Sequence, residues 1–269
     1  MATSPTTANT TWQLLEQQVA VRGKHIFLAD GEISLSYQET QLQCRQLAGA
    51  LLAKGFAHGQ RAAIWAPNIY QWVIAALAIQ SIGGVLVTIN TRFKGSEAAQ
   101  LLRDSEASTL FCIETFLGFD YLEALKDEEL PALKHCIAIN SSDTNSKYSW
   151  ESILASGSAW LVENAALFEQ RRDAVVGSDV SDIIFTSGTT GRAKGVMTQH
   201  AQNVQAFTEF AQLLGLDSDD RYLVINPFFH SFGYKAGMLA ILSQGATLIP
   251  MATFDIDQVL ATIVREKIS

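Results

Sequence analysis

A chain of 269 residues, 48% of them hydrophobic, has enough apolar surface for one large domain or two smaller ones, which excludes a disordered or fibrous protein. A formal net charge of −8 with 17% charged residues gives no basic footprint for nucleic acid or an anionic membrane, so an anionic ligand would need a local basic site. Cys44, Cys112 and Cys136 are far apart without a CxxC spacing, which argues against a disulfide framework or a zinc site and fits a reduced cytoplasm.

In chain order, residues 1–11 lack the basic start and apolar centre of a signal peptide and read as a polar tail. Leu47, Leu51 and Leu52 share one face of a helix closed by Gly55. A strand-like run at Ala62–Trp65 follows, then a nearly continuous apolar stretch from Trp72 to Ile89 that approaches the length of a membrane span. Gly83 and Gly84 would end a helix, and Val85-Leu86-Val87 is rich in β-branched residues, so the stretch parses as helix, turn and buried strand. Further strand-like runs lie at Thr109–Ile113, Cys136–Ile139, Asp182–Phe185, Leu223–Ile225 and Thr247–Ile249. Asn140–Lys147 reads as an exposed loop and Arg171–Ser181 as a connection.

Val204, Phe207, Ala211 and Leu214 form a second apolar helix face before Gly215. Strands alternating with helix-length segments predict an α/β fold of mostly parallel sheets flanked by helices. The expected division is a first α/β subdomain over residues 12–176 and the start of a second over 177–269. At the end, Ile256, Val259, Leu260, Ile263 and Val264 fall at helical spacing behind Asp255 and Asp257, predicting a helix with one wet and one dry face.

The stretch FTSGTTGRAKG, residues 185–195, concentrates hydroxyls and glycines before a lysine. Glycine lets backbone N–H groups approach a ligand, hydroxyls add donors and lysine supplies a point charge, a set that suits a polyphosphate. Composition alone also permits an ordinary solvated loop. A Walker loop is excluded by spacing, because Arg192 and Ala193 stand between Gly191 and Lys194.

Thr186 to Gly195 resembles the phosphate loop of the adenylate-forming superfamily, which includes AMP-forming acyl-CoA synthetases, luciferase and peptide-synthetase adenylation domains. Tyr37, Gly59-Gln60-Arg61, Pro67-Asn68, Gly83-Gly84 through Asn90, Arg103 to Ala107 and Asn226 to Gly233 extend the resemblance over nearly the whole chain. Ala193 stands where the family usually has proline, and Gln60 where it usually has aspartate. The resemblance implies an ATP-dependent carboxylic acid–CoA ligase acting through an acyl-adenylate, with ATP, Mg²⁺ and CoA as cofactor and co-substrates. It implies that Thr186, Ser187, Gly188, Thr189, Thr190, Gly191 and Lys194 hold the phosphates, with Thr186 beside the magnesium ion.

By the same resemblance His230 lies at the reacting carboxylate as a positioning group, in a substrate pocket with Phe229, Phe232, Gly233 and Tyr234. Tyr234 and Lys235 read equally well as ordinary helix residues, and His25, His58, His135 and His200 are unassigned. Gly233 to Gly237 looks like ligases acting on steroid-degradation acids, while medium-chain, long-chain and aryl acids stay open. The superfamily's Tyr-Gly-x-Thr-Glu and Thr-Gly-Asp motifs and its C-terminal lysine do not occur before Ser269. The chain is therefore expected to be the N-terminal portion of such an enzyme, unable to complete adenylation alone. A non-catalytic nucleotide-binding or interaction module and an amino-acid-activating domain are the alternatives.

Overall fold

A computed structural model of the chain describes residues 8–140, 149–186 and 193–269. Helix α1 (Thr11–Arg22) starts from a capping box in which the Thr10 hydroxyl accepts the Gln13 N–H and the Gln13 side chain returns to the cap backbone. Strands β1 (Ile26–Asp30) and β2 (Ile33–Ser36) form a hairpin absent from the expected strands. Helix α2 (Tyr37–Ala53) is capped by Ser36 and Glu39 in the same reciprocal way, and Gly55 just past its end adopts φ +77°.

There follow β3 (Arg61–Trp65), α3 (Tyr70–Ser81), β4 (Val85–Thr88), α4 (Gly95–Ser105) and β5 (Thr109–Cys112). A small hairpin of β6 (Thr115–Phe116) and β7 (Phe119–Asp120) leads to β8 (His135–Ala138) and the long α5 (Trp150–Asp173). Next come β9 (Val180–Thr186), β10 (Lys194–Gln199), α6 (His200–Leu214) and β11 (Arg221–Val224). A π-helix over Phe232–Leu239, α7 (Ala240–Gln244), β12 (Thr247–Pro250) and α8 (Ile256–Glu266) end the chain.

Besides the two-stranded β6-β7 hairpin, the described residues form one sheet of six strands in the order β10-β9-β4-β3-β5-β8 and one of four in the order β11-β12-β1-β2. Within these two sheets pairing is parallel except at β1–β2 and β9–β10, where β2 and β10 are edge strands; the separate β6–β7 pair is antiparallel. The expected boundary between residues 176 and 177 does not separate the sheets. β4 pairs with β9 in the larger sheet and β1 pairs with β12 in the smaller one, so each sheet draws on both sides of that point.

The apolar run beginning at Trp72 is helix, turn and strand, and no helix among the described residues is long and apolar enough to cross a membrane. Helix α3 is buried from Trp72 to Ser81 because it touches strands of both sheets, so it needs apolar residues all round. Gln80, the amide within this buried stretch, is a hydrogen-bond node. Gln80 Oε1 accepts from the Thr11 hydroxyl at 3.0 Å, and Nε2 donates to the Ser181 carbonyl at 3.0 Å and to the Tyr234 hydroxyl at 2.7 Å. The expected dry face of α8 is a correction: Ile256, Leu260 and Val264 are 64%, 58% and 79% exposed, and Thr262 alone in that helix is buried. Helical spacing creates an apolar face but cannot say whether a neighbour covers it.

Candidate functional site

A cavity of about 830 Å³ opens beyond the carboxyl ends of strands from both sheets, where open α/β sheets place ligands. Asn68 after β3, Arg92 and Lys94 after β4, Phe119 after β6, Phe229 after β11 and Phe254 after β12 are among its lining residues. Two cations thus stand among aromatic rings, in a chain whose net charge is negative. Tyr121 braces this wall. Its hydroxyl donates to the Thr91 carbonyl at 2.8 Å, its ring meets Trp65 edge-on at 4.5 Å, and burial pushes its phenol up to about 12, so it stays a donor.

The segment after β11 is held from the other sheet. Asn68 Nδ2 donates to the carbonyls of Val224 at 3.0 Å and Asn226 at 2.9 Å, while its Oδ1 accepts the Phe228 N–H at 2.7 Å. The Thr88 hydroxyl at the end of β4 donates to the Phe229 carbonyl at 2.9 Å. Gly233 packs so closely beneath this turn that a Cβ would collide with the carbonyls of Asn226 and Pro227, so only glycine fits. His230 emerges from the turn exposed, its ring 4.7 Å from that of Phe229, and partial desolvation lowers its pKa. Its imidazole is therefore favoured in the neutral form, which suits orientation more than charge.

The expected pocket residues separate. Phe229 lines the cavity, whereas His230, Phe232, Gly233 and Tyr234 are not among its lining residues. Phe232 is 56% exposed. Tyr234 is completely buried and tilted against Trp72 at 5.5 Å, its hydroxyl accepts from Gln80 Nε2, and burial drives its phenol well above the usual range. It belongs to the core beneath the site, because the π-helix is buried from Gly233 to its end.

Of the expected phosphate residues, Ser187, Gly188, Thr189, Thr190 and Gly191 lie outside the described residues. Thr186 and Lys194 flank them as register partners at the open end of the β9–β10 ladder, both exposed, with the Thr186 hydroxyl 3.4 Å from the Lys194 carbonyl. No group of three or more His, Cys, Asp or Glu side chains suited to a metal occurs among the described residues. The accessible Thr186 hydroxyl fits a magnesium ion that arrives on phosphates and takes few protein oxygens.

A family model for AMP-binding enzyme matches residues 15–269. The chain belongs to the AMP-binding enzyme family. Among its relatives in that family, a methyl-dioxo-octahydroindenyl-propanoyl:CoA ligase of Mycobacterium tuberculosis is 46% identical over 222 residues, covering 82% of this chain and 43% of the relative. The ligase of the same name from Rhodococcus jostii is 38% identical over 275 residues, covering 100% of this chain and 52% of the relative. The chain thus spans about half the length of the curated relatives it matches. A solved long-chain-fatty-acid-CoA ligase from Archaeoglobus fulgidus superposes with a TM-score of 0.80 at 21% identity, over 96% of this chain and 50% of that one, a likeness of fold.

Within this member of the AMP-binding enzyme family, some residues that line the cavity carry little signal in sequence. Arg92, Lys94, Phe119 and Phe254 come from three separate connections and meet only because several strands end at one edge. Asn68 had a cue, since an Asn after Pro67 at a strand end suggests a turn, but its bonding partners are more than 150 residues away.

Proposed function

We propose that this chain forms the nucleotide- and acid-handling part of an ATP-dependent carboxylic acid–CoA ligase. The reading is carried by the stretch Thr186 to Gly195, a hydroxyl- and glycine-rich connection between β9 and β10 in a chain matched by the AMP-binding family over residues 15–269. In the reaction, a carboxylate oxygen attacks the α-phosphorus of ATP and the bond to pyrophosphate breaks. The sulfur of CoA then attacks the acyl carbon, its proton is lost, and AMP leaves. Two anions must meet in the first step and a third must depart, so donors and cations aimed at the phosphates lower the barrier.

In this scheme Thr186, Ser187, Gly188, Thr189, Thr190 and Gly191 offer hydroxyl and backbone donors to the β- and γ-phosphates, and Lys194 adds the cation. Magnesium bound with the nucleotide would neutralise phosphate charge, with Thr186 offering it an oxygen. His230 orients the acid at the turn held by Asn68 and Thr88, and Arg92 and Lys94 suit the phosphates of CoA at the cavity. The two relatives named for an octahydroindenyl propanoate support a compact fused-ring acid as substrate.

Acid-dependent exchange of pyrophosphate into ATP, measured on the protein that carries this chain with a panel of fused-ring, aryl and straight-chain acids, tests the reading. Exchange is expected with fused-ring propanoates, and Lys194→Ala should slow it on the order of 10²-fold. Undiminished exchange in that variant would remove Lys194 from the chemistry, and no exchange with any acid would overturn the function.

A further inference from the structure

Lys235 lies in the π-helix, five residues after His230, and is 5% exposed. Its Nζ is 2.8 Å from Asp182 Oδ1 and 2.9 Å from Thr198 Oγ1. Asp182 and Thr198 are opposed residues of the β9–β10 ladder, so one ammonium bonds both strands of the hairpin that leads to residues 187–192. The other oxygen, Asp182 Oδ2, accepts from Ser181 Oγ at 2.6 Å and from Asn203 Nδ2 of α6 at 2.5 Å. The carboxylate is completely buried, with Oδ1 in the ion pair to Lys235 and Oδ2 hydrogen-bonded.

A buried ion pair is a poor device for stability alone, because an apolar pair of similar volume often holds a fold equally well. Its distinctive property is direction: the bonds hold only at one relative placement of the elements that carry them. The elements joined here carry the two halves of the proposed chemistry. One is the hairpin ending in the phosphate stretch; the other follows directly on the turn of Phe229 and His230. The wide winding of a π-helix lets adjacent Tyr234 and Lys235 both point inward, the first to Gln80 and the second to Asp182.

We propose that Lys235 is a positioning residue whose ammonium, clamped between Asp182 and Thr198, locks the β9–β10 hairpin against the element following His230. Thr186 and Lys194, the described ends of that hairpin, are thereby kept at a fixed separation from the turn of Phe229 and His230. This rests on the nucleotide-binding reading above. Asp182 lies four residues before Thr186, roughly 13 Å along a strand. β9 transmits the constraint because it is paired on both sides, with β4 and β10.

Calorimetric titration of MgATP into the 269-residue chain, with thermal melts of each variant, provides the test. Lys235→Met should melt lower and bind MgATP on the order of tenfold more weakly, the scale expected for a sub-ångström misplacement. The double variant Lys235→Met with Asp182→Asn leaves no unpaired charge, so its melting temperature should recover while its affinity stays reduced. Thr198→Val, which removes one hydroxyl, should lower affinity by a smaller factor. A merely structural pair would give affinity that returns together with the melting temperature, and that result would overturn the inference. If Lys235→Met does not fold, the double variant decides by itself. Wild-type protein that binds MgATP in a Lys194-dependent way, beside a double variant of equal affinity, would sink the positioning role alone. No binding by the wild type would overturn the nucleotide reading and this inference with it.

Discussion

One carboxamide, that of Asn68, joins the end of β3 to the turn carrying Phe229 and His230 through three hydrogen bonds. Asn68→Ala would orphan the buried Phe228 N–H, and urea unfolding should show a loss of about 2–3 kcal/mol; a loss below about half that would mean other contacts hold the turn. His200 is the second informative residue. It is buried, its Nδ1 accepts the Thr11 N–H at 3.4 Å, and burial lowers its pKa to about 4, opposed by Asp179 and reinforced by His58. The unfolded imidazole titrates near 6.5, so protonation at lower pH favours the unfolded chain. Stability from this group is complete above about 6.5 and falls as pH drops towards about 4, amounting to about 3 kcal/mol. Urea melts at pH 7 and 4.5 should show a smaller acid loss in His200→Asn than in wild type, and equal losses would assign the acid sensitivity elsewhere. Neither role was legible from sequence, since His200 has no local company and the partner of its ring lies 189 residues away.

At the scale of elements, helix α2 lies against α5 at a crossing made by glycines. A Cβ on Gly157 would collide with the Gln46 carbonyl, and one on Gly49 would come within 2.9 Å of the Gly157 carbonyl. Gly157→Ala should therefore destabilise by about 1–3 kcal/mol although alanine favours helix; a neutral or stabilising effect on thermal unfolding would show that the helices separate freely. The helices themselves were readable from apolar spacing and glycine stops, as at Gly215, which adopts φ +73° past α6. Less readable was what covers each face. α3 is largely apolar and buried from Trp72 to Ser81, α8 is strongly two-faced and exposed on its apolar side, and the hairpin of β1 and β2 is too short to stand out.

For the whole molecule, the two sheets exchange strands across the point where a boundary was expected. Residues 1–176 alone would lack β9, β10, β11 and β12 and leave edges of both sheets unpaired. That fragment should lack the near-ultraviolet signal and sharp urea transition of the full chain, which should unfold in one step; a cooperative transition in the fragment would show that it is an independent unit.

Local pattern by itself determined the α/β class, most strand positions, the parse of the long apolar run and the glycine- and hydroxyl-rich stretch before Lys194, because period, turn residues and motif spacing are all properties of neighbouring residues. Tertiary structure alone decided that Tyr234 faces the core, that Lys235 meets Asp182, that distant connections share one cavity and that the sheets interleave. Those outcomes depend on which strands pair and in what register, and register is set by burial summed over contacts far apart in the chain.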